Sequence, residues 1–182
     1  KLIIVDDASA EETKNMIHQM ASQHQQITVI CNDQNIGYTR SANKGLQSAD
    51  SEWMVLLNSD TIVTDYWLQG LLECAYSDSG IKIVGPLSNA AGMQSIPVPY
   101  NADGSYPINF LSHNYSPGYM AALLRKVTSR AFPKIPILNG FCLLLHKSTL
   151  AEIVYLDEFY FPQGHGEEND LGMRCVQQGL QL

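Results

Sequence analysis

The chain has no CxxC pair; Cys31, Cys74, Cys142 and Cys175 are widely and unevenly spaced. That spacing excludes a zinc ribbon or a disulfide framework. It fits reduced thiols, three of them in apolar or amphipathic runs as small buried hydrophobes, and so a cytoplasmic location. Basic residues are also scarce. Against 18 Asp and Glu stand 11 Lys and Arg, the net charge is −7, and a nucleic-acid partner is excluded. No apolar run approaches the ~18 residues of a membrane span, so membrane association is expected only through parts outside this sequence. No P-loop and no GxGxxG is present. An acidic protein that handles phosphates without them needs a metal or a few local cations.

What is present is globular. Hydrophobic residues make up 45% and charged residues 16% of 182 positions, enough for one domain with its own core. The chain opens directly on a core-like run, "KLIIVDD", and stops at "QQGLQL" just after a helix-ending glycine. The expectation is a piece of a longer protein, cut at both ends.

Short apolar runs alternate with helical patterns through the first half. Leu2 to Val5, "ITVICN", "WMVLLN" and "IKIVGP" read as buried strands. Between them, Ser9 and Glu12 have the spacing of a capping box, and Met16, Ile17, Met20 and Ala21 mark one helical face. "TRSANKGLQSA" is a second helix, and Asp65 is placed to cap a third carrying Leu68, Leu71, Leu72 and Ala75. The alternation predicts an α/β fold with a mostly parallel sheet flanked by helices, with its ligand edge at the strand C-termini. Leu87 to Pro117 breaks the rhythm with Pro, Gly, Ser and Asn, and is expected to be a long functional or mobile loop. A helix from Tyr119 to Val127, a strand-like "ILNGFCLLLHK", a short helix at "STLAEIV" and a last helix from Leu171 to Gln178 complete the reading.

The chemistry lies in the carboxylates. Asp6 and Asp7 close the first strand, and Asp60, in "NSDT", follows the third. Asp7 reads equally well as a cap of the next turn, and Asp60 as a turn aspartate. An acid on a rigid strand end suits Mg²⁺ or Mn²⁺, which takes one or two protein carboxylates and completes its shell with substrate phosphate and water. "GHGEEND" places Glu167, Glu168 and Asp170 at a helix start, where unpaired N–H groups favour negative charge. First-turn acids explain one of the three easily. A general base explains the cluster better, because mutual repulsion raises one pKa toward neutrality. Asp170 and Arg174, four apart, are spaced to pair. For Arg40, Lys44, His165, Tyr66 and Trp67, surface charge, loop or packing roles are the simpler readings.

In this order the pieces resemble the family 2 glycosyltransferases, inverting enzymes of GT-A fold. The matching stretches are "IIVDDAS", "QNIGYTRSANKGLQSA", "WMVLLNSDTIVTDYWLQGLL", "IVGPLSN", "ILNGFCLLLHKSTL", "LDEFYFPQGHGEENDLGMR" and "QQG". The resemblance implies a GT-A-like (Rossmann-like) domain over 1–182. Residues 1–86 would form its nucleotide- and metal-binding half, and 87–182 an acceptor-side half. It implies a nucleoside-diphosphate sugar as donor and a glycan, lipid-linked or protein acceptor. Asp6 or Asp7 would read the base. Asn58 and Asp60 would stand at the DxD motif, Asp60 holding Mn²⁺ or Mg²⁺. Glu168 would be the catalytic base, with Glu167 and Asp170 beside it, and Gly140 would border the acceptor site. Asn58 departs from a strict DxD, and the family's opening strand has no counterpart before Lys1. Two rivals remain. One is a non-catalytic binding domain of the same fold. The other is a nucleotidyltransferase, which usually wants a Gly-rich basic loop near the first strand.

Overall fold

Leu2–Asp6 (β1) and Ile27–Cys31 (β2) pair in parallel, from Leu2 against Ile27 to Asp6 against Cys31. A parallel pair needs a crossover, and α1 (Glu11–Gln23) supplies it. This computed structural model describes all 182 residues. The expected Ser9–Glu12 capping box does not form. The Ser9 amide donates to Asp6 Oδ1 at 3.1 Å, Ala8 turns to φ 62°, and the helix starts after Ala10 without a side-chain cap. The carboxylate ending β1 has taken the position that the capping box needed. The predicted apolar face of α1 is not buried either: no residue of the helix is, and Met16 and Met20 stay exposed.

α2 (Tyr38–Ser48) lies over β1 and over β3 (Trp53–Leu57). β3 belongs to a second sheet with β4 (Ile83–Val84) and β5 (Cys142–His146), in the order β3-β5-β4. β5 runs antiparallel to both neighbours, so β3 and β4 are parallel to each other. The β–α alternation is present as expected through β4. The last strand reverses because it arrives only after the long irregular segment and enters between its neighbours from the opposite end. No ladder joins β1 to β3.

The core is built on β5. Leu143, Leu144 and Leu145 are fully buried, and their side chains alternate between two layers as strand geometry requires. Leu143 and Leu145 pack with Ala42 and Leu46 of α2, Leu150 and Ile153 of α5 (Lys147–Ile153), and Leu171 and Cys175 of α6 (Glu167–Gln177). Cys142 and Leu144 pack with Leu71 and Ala75 of α3 (Trp67–Ala75). Asp65 does not cap α3. Tyr66 stands at the cap in the left-handed region, and the Asp65 carbonyl accepts a hydrogen bond from Arg125 at 3.0 Å. Residues 87–116 hold only a 3₁₀ turn at Gly92–Gln94 and an isolated bridge between Ser88 and Ser95. α4 (Pro117–Val127) then starts at Ser116, whose Oγ accepts from the Tyr119 amide. No helix is long and apolar enough to cross a membrane.

Candidate active site

The two aspartates that end β1 have different surroundings. Asp7 Oδ1 accepts from the Ile36 amide and Asn32 Nδ2, and Oδ2 from the Gly37 amide, all at 2.9 Å. Burial opposes its ionisation, yet the Ile36 and Gly37 amides and the Asn32 and Ser41 side chains together hold its carboxyl below the ordinary value. Asp6 is buried, and only its Oδ1 is engaged, by Ser9. Its Oδ2 is enclosed with no hydrogen-bond partner. Asp7 therefore fixes the turn leading into α2, and Asp6 carries the free acceptor.

That turn brings the next residues into place. Gly37 adopts φ 91° and passes so close to the neighbouring loop that an added Cβ would lie 2.3 Å from the Pro162 carbonyl oxygen. Tyr38 follows. Its hydroxyl donates to Asn58 Oδ1 at 3.2 Å, in the "NSD" turn after β3. Its ring flanks Gly164 together with the Glu167 carboxylate: a Cβ at 164 would meet Tyr38 at 3.3 Å and Glu167 at 3.5 Å. Burial, then the charges of Glu167 and Glu168, push the Tyr38 phenol well up. One side chain thus links the strand-end turn to the acidic helix. Asp60 is exposed, and none of the ion pairs of the molecule involves it.

The segment before α6 is strapped to α2. Thr39 Oγ1 donates to the Phe161 carbonyl. Asn43, buried, donates to the Leu156 carbonyl at 2.9 Å and to Glu158 at 3.0 Å, and accepts from the Leu156 amide at 3.1 Å. Gly166, at φ 132°, then caps α6, and its amide is shared between Glu167 Oε2 and Glu168 Oε2 at 3.1 and 3.2 Å. Glu167 is buried. Its pKa is raised first by that burial and further by the Glu168 charge, so repulsion plays a smaller part than the clustering of acids suggests. Glu168 is half-buried and rests on Gly140, where a Cβ would touch its side chain at 3.4 Å. Asp170 turns elsewhere. It pairs with Arg174 as its spacing predicts, at 2.8 and 2.7 Å, and Arg174 also donates to the Ile153 and Tyr155 carbonyls. Asp170 therefore ties α6 to the end of α5.

Glu168 opens onto a cleft of about 460 Å³, which the 3₁₀ turn, Tyr106 and Asn139 also line. Gln94 is the bracket behind it. Its Nε2 donates to the Pro86 carbonyl at 2.8 Å, and its Oε1 accepts from the Asn139 amide at 2.6 Å. No three His, Cys, Asp or Glu side chains gather to hold a metal unaided. Asp60, exposed and unpaired, has the donor chemistry of an ion shared with a substrate phosphate. Tyr38, Asn43 and Gln94 give no sequence signal as site residues. The nearest to one is Asn43, a polar residue between Ala42 and Leu46 on the buried face of α2.

Residues 1–148 match the family model for glycosyl transferase family 2. The chain belongs to that family. The matched stretch ends before α6, so Glu167 and Glu168 lie outside it. A curated relative is TuaG of Bacillus subtilis (strain 168), provisionally named a teichuronic acid biosynthesis glycosyltransferase. It is 29% identical over 94 residues, covering 46% of this chain and 36% of the relative. Among solved structures, GalNAc-T7 with UDP, GalNAc and Mn²⁺ superposes with a TM-score of 0.69 at 14% identity, over 100% of this chain and 35% of that one. The mannosyltransferase PcManGT of Pyrobaculum calidifontis with GDP-Man and Mn²⁺ superposes with a TM-score of 0.60 at 15% identity, over 100% of this chain and 44% of that one. The fold is GT-A, and this family member spans less than half the length of these relatives.

Proposed function

We propose that this domain transfers a sugar from a nucleoside-diphosphate sugar to an acceptor hydroxyl, with inversion, in a cytoplasmic protein. The observation that carries the reading is the position of Glu168 on the first turn of α6, half-exposed at a cleft and next to a buried acid. A carboxylate so placed accepts the proton of an incoming hydroxyl as that oxygen attacks the anomeric carbon. Glu167, held under it, orients the turn through the shared Gly166 amide. The free, enclosed Oδ2 of Asp6 supports Asp6 rather than Asp7 as the acceptor for an N–H of the nucleotide base. Asp60 would hold Mn²⁺ or Mg²⁺ against the diphosphate. Such an ion offsets the charge that grows on the leaving group. UDP with Mn²⁺ in one solved neighbour, and GDP-Man with Mn²⁺ in the other, support this donor class. The binding-only rival draws on one observation: Asn58 Oδ1 is already engaged by Tyr38, which leaves the DxD-like turn with one free carboxylate.

Two measurements test the reading on the 182-residue chain. In calorimetry with UDP and GDP, Mn²⁺ should strengthen nucleotide binding, and Asp60→Ala should remove that dependence. In a donor-hydrolysis panel of UDP- and GDP-sugars, Glu168→Gln should lower turnover roughly a hundredfold, the usual contribution of a general base, while nucleotide affinity stays put. Metal-dependent nucleotide binding with no hydrolysis or transfer of any donor would favour the binding-only domain. Loss of activity in Glu167→Gln alone would move the base by one residue.

A further inference from the structure

We propose that the cleft over Glu168 is an acceptor subsite that takes an uncharged glycosyl ring, laid against Tyr106, and rejects uronate and sugar-phosphate acceptors. The proposal rests on the reading of Glu168 as the base. The cleft volume lies within the usual range of small-molecule sites, roughly 300–1,000 Å³. None of its lining residues is Asp6, Asn58 or Asp60, so a ring seated there meets the candidate base and not the diphosphate turn.

Three features of the lining define what fits. The first is an aromatic wall. The Tyr106 ring lies over Gly92, where an added Cβ would meet it at 3.6 Å, and it leans on Tyr100 with centroids 5.3 Å apart. It is nonetheless 60% exposed, a backed ring with surface open to the C–H face of a sugar. The second is neutral polarity. Asn139 Oδ1 is occupied by the Phe141 amide, which leaves its Nδ2 donors free, and Asn169 stands exposed beside it. The third is the charge. No Lys, Arg or His lines the cleft, and Glu168, with Glu167 adjacent, is its only carboxylate. An anionic acceptor would meet like charge with no counter-ion, in a partly desolvated site.

The test is saturation-transfer NMR on the 182-residue chain. The probes are methyl β-glucopyranoside, methyl N-acetyl-β-glucosaminide, methyl β-glucuronide and glucose 6-phosphate, each with and without UDP and Mn²⁺. The neutral glycosides should give transfer that is retained or strengthened with UDP and Mn²⁺, lost in Tyr106→Ala and retained in Tyr106→Phe. The glucuronide and the phosphate should bind about tenfold more weakly or worse, and the glucuronide should recover in Glu168→Gln. Equal binding of the uronate, no binding of either neutral glycoside, a signal indifferent to Tyr106→Ala, or displacement by UDP and Mn²⁺ would each overturn the proposal. Failure of the base reading looks different. There, Glu168→Gln leaves turnover intact while ring binding still depends on Tyr106. If Glu168→Gln removes turnover and ring binding ignores Tyr106, the base reading stands and the acceptor proposal falls.

Discussion

Glu167 and Glu168 are adjacent in sequence and differ in burial. That difference carries a pH signature. The native pKa of Glu167 lies above its ordinary value of 4.5 because burial penalises its charged form. Between the unfolded and native values the native state holds the proton more tightly, so stability falls as pH rises through that window. The cost is complete above the native pKa and absent below the unfolded one. Glu167→Gln should therefore stabilise the protein at pH 7, with the gain fading as pH drops through the raised native pKa and gone below about 4.5. Urea melts between pH 4 and 8 read this directly. An equal gain at both ends of the range would mean that charge is not the cause. Tyr38 makes the second residue-scale case. Tyr38→Phe keeps the ring between Asn58 and Gly164 and removes one hydrogen bond, a loss of roughly 1 kcal/mol in chemical denaturation. A neutral result would mean that Asn58 finds another partner without cost.

At the scale of elements, α2 organises the site. Asp7 fixes its start, Tyr38 reaches the turn after β3, and Thr39 and Asn43 strap the segment that delivers α6. The pivot is Gly37, where φ 91° and the Pro162 carbonyl oxygen, with which an added Cβ would clash, leave no room for a side chain. Gly37→Ala should lower stability by at least about 2 kcal/mol, from left-handed strain plus displacement of the Pro162 backbone. Wild-type urea stability in that variant would refute the close approach. These contacts also mark what the sequence could and could not disclose. Acids beside strand ends and helix starts are legible, because residue type and local position carry the chemistry. The Ser9–Glu12 signal misled because a second local acceptor, Asp6 three residues before it, took the Ser9 amide. Tyr38 to Asn58 spans 20 residues and Asn43 to Leu156 spans 113, and no local pattern encodes such pairs.

The whole molecule is unevenly held. β5 sits between two neighbours with Cys142 to Leu145 buried, and both hydrophobic clusters draw on it. β1 and β2 have only each other, α1 buries no residue, and Asp6 is the single buried position of the two strands. Opening free energy follows buried apolar contact, so the α1–β1–β2 unit should open below the energy of global unfolding. α2 should stay with the larger body, since Ala42 and Leu46 belong to the β5 cluster. Native-state hydrogen exchange in low guanidinium would resolve this. The β1 and β2 amides should merge on a lower isotherm than those of Leu143 to Leu145. A single common isotherm would make the protein one cooperative unit and refute the division. The same experiment reaches the proposed function. A ligand that binds only the closed form stabilises the unit carrying its contacts by mass action. If Asp6 reads a nucleotide, UDP or GDP with Mn²⁺ should raise the protection of β1 and β2 while leaving that of β5 nearly unchanged. Equal protection everywhere, or none in β1, would place the nucleotide away from Asp6.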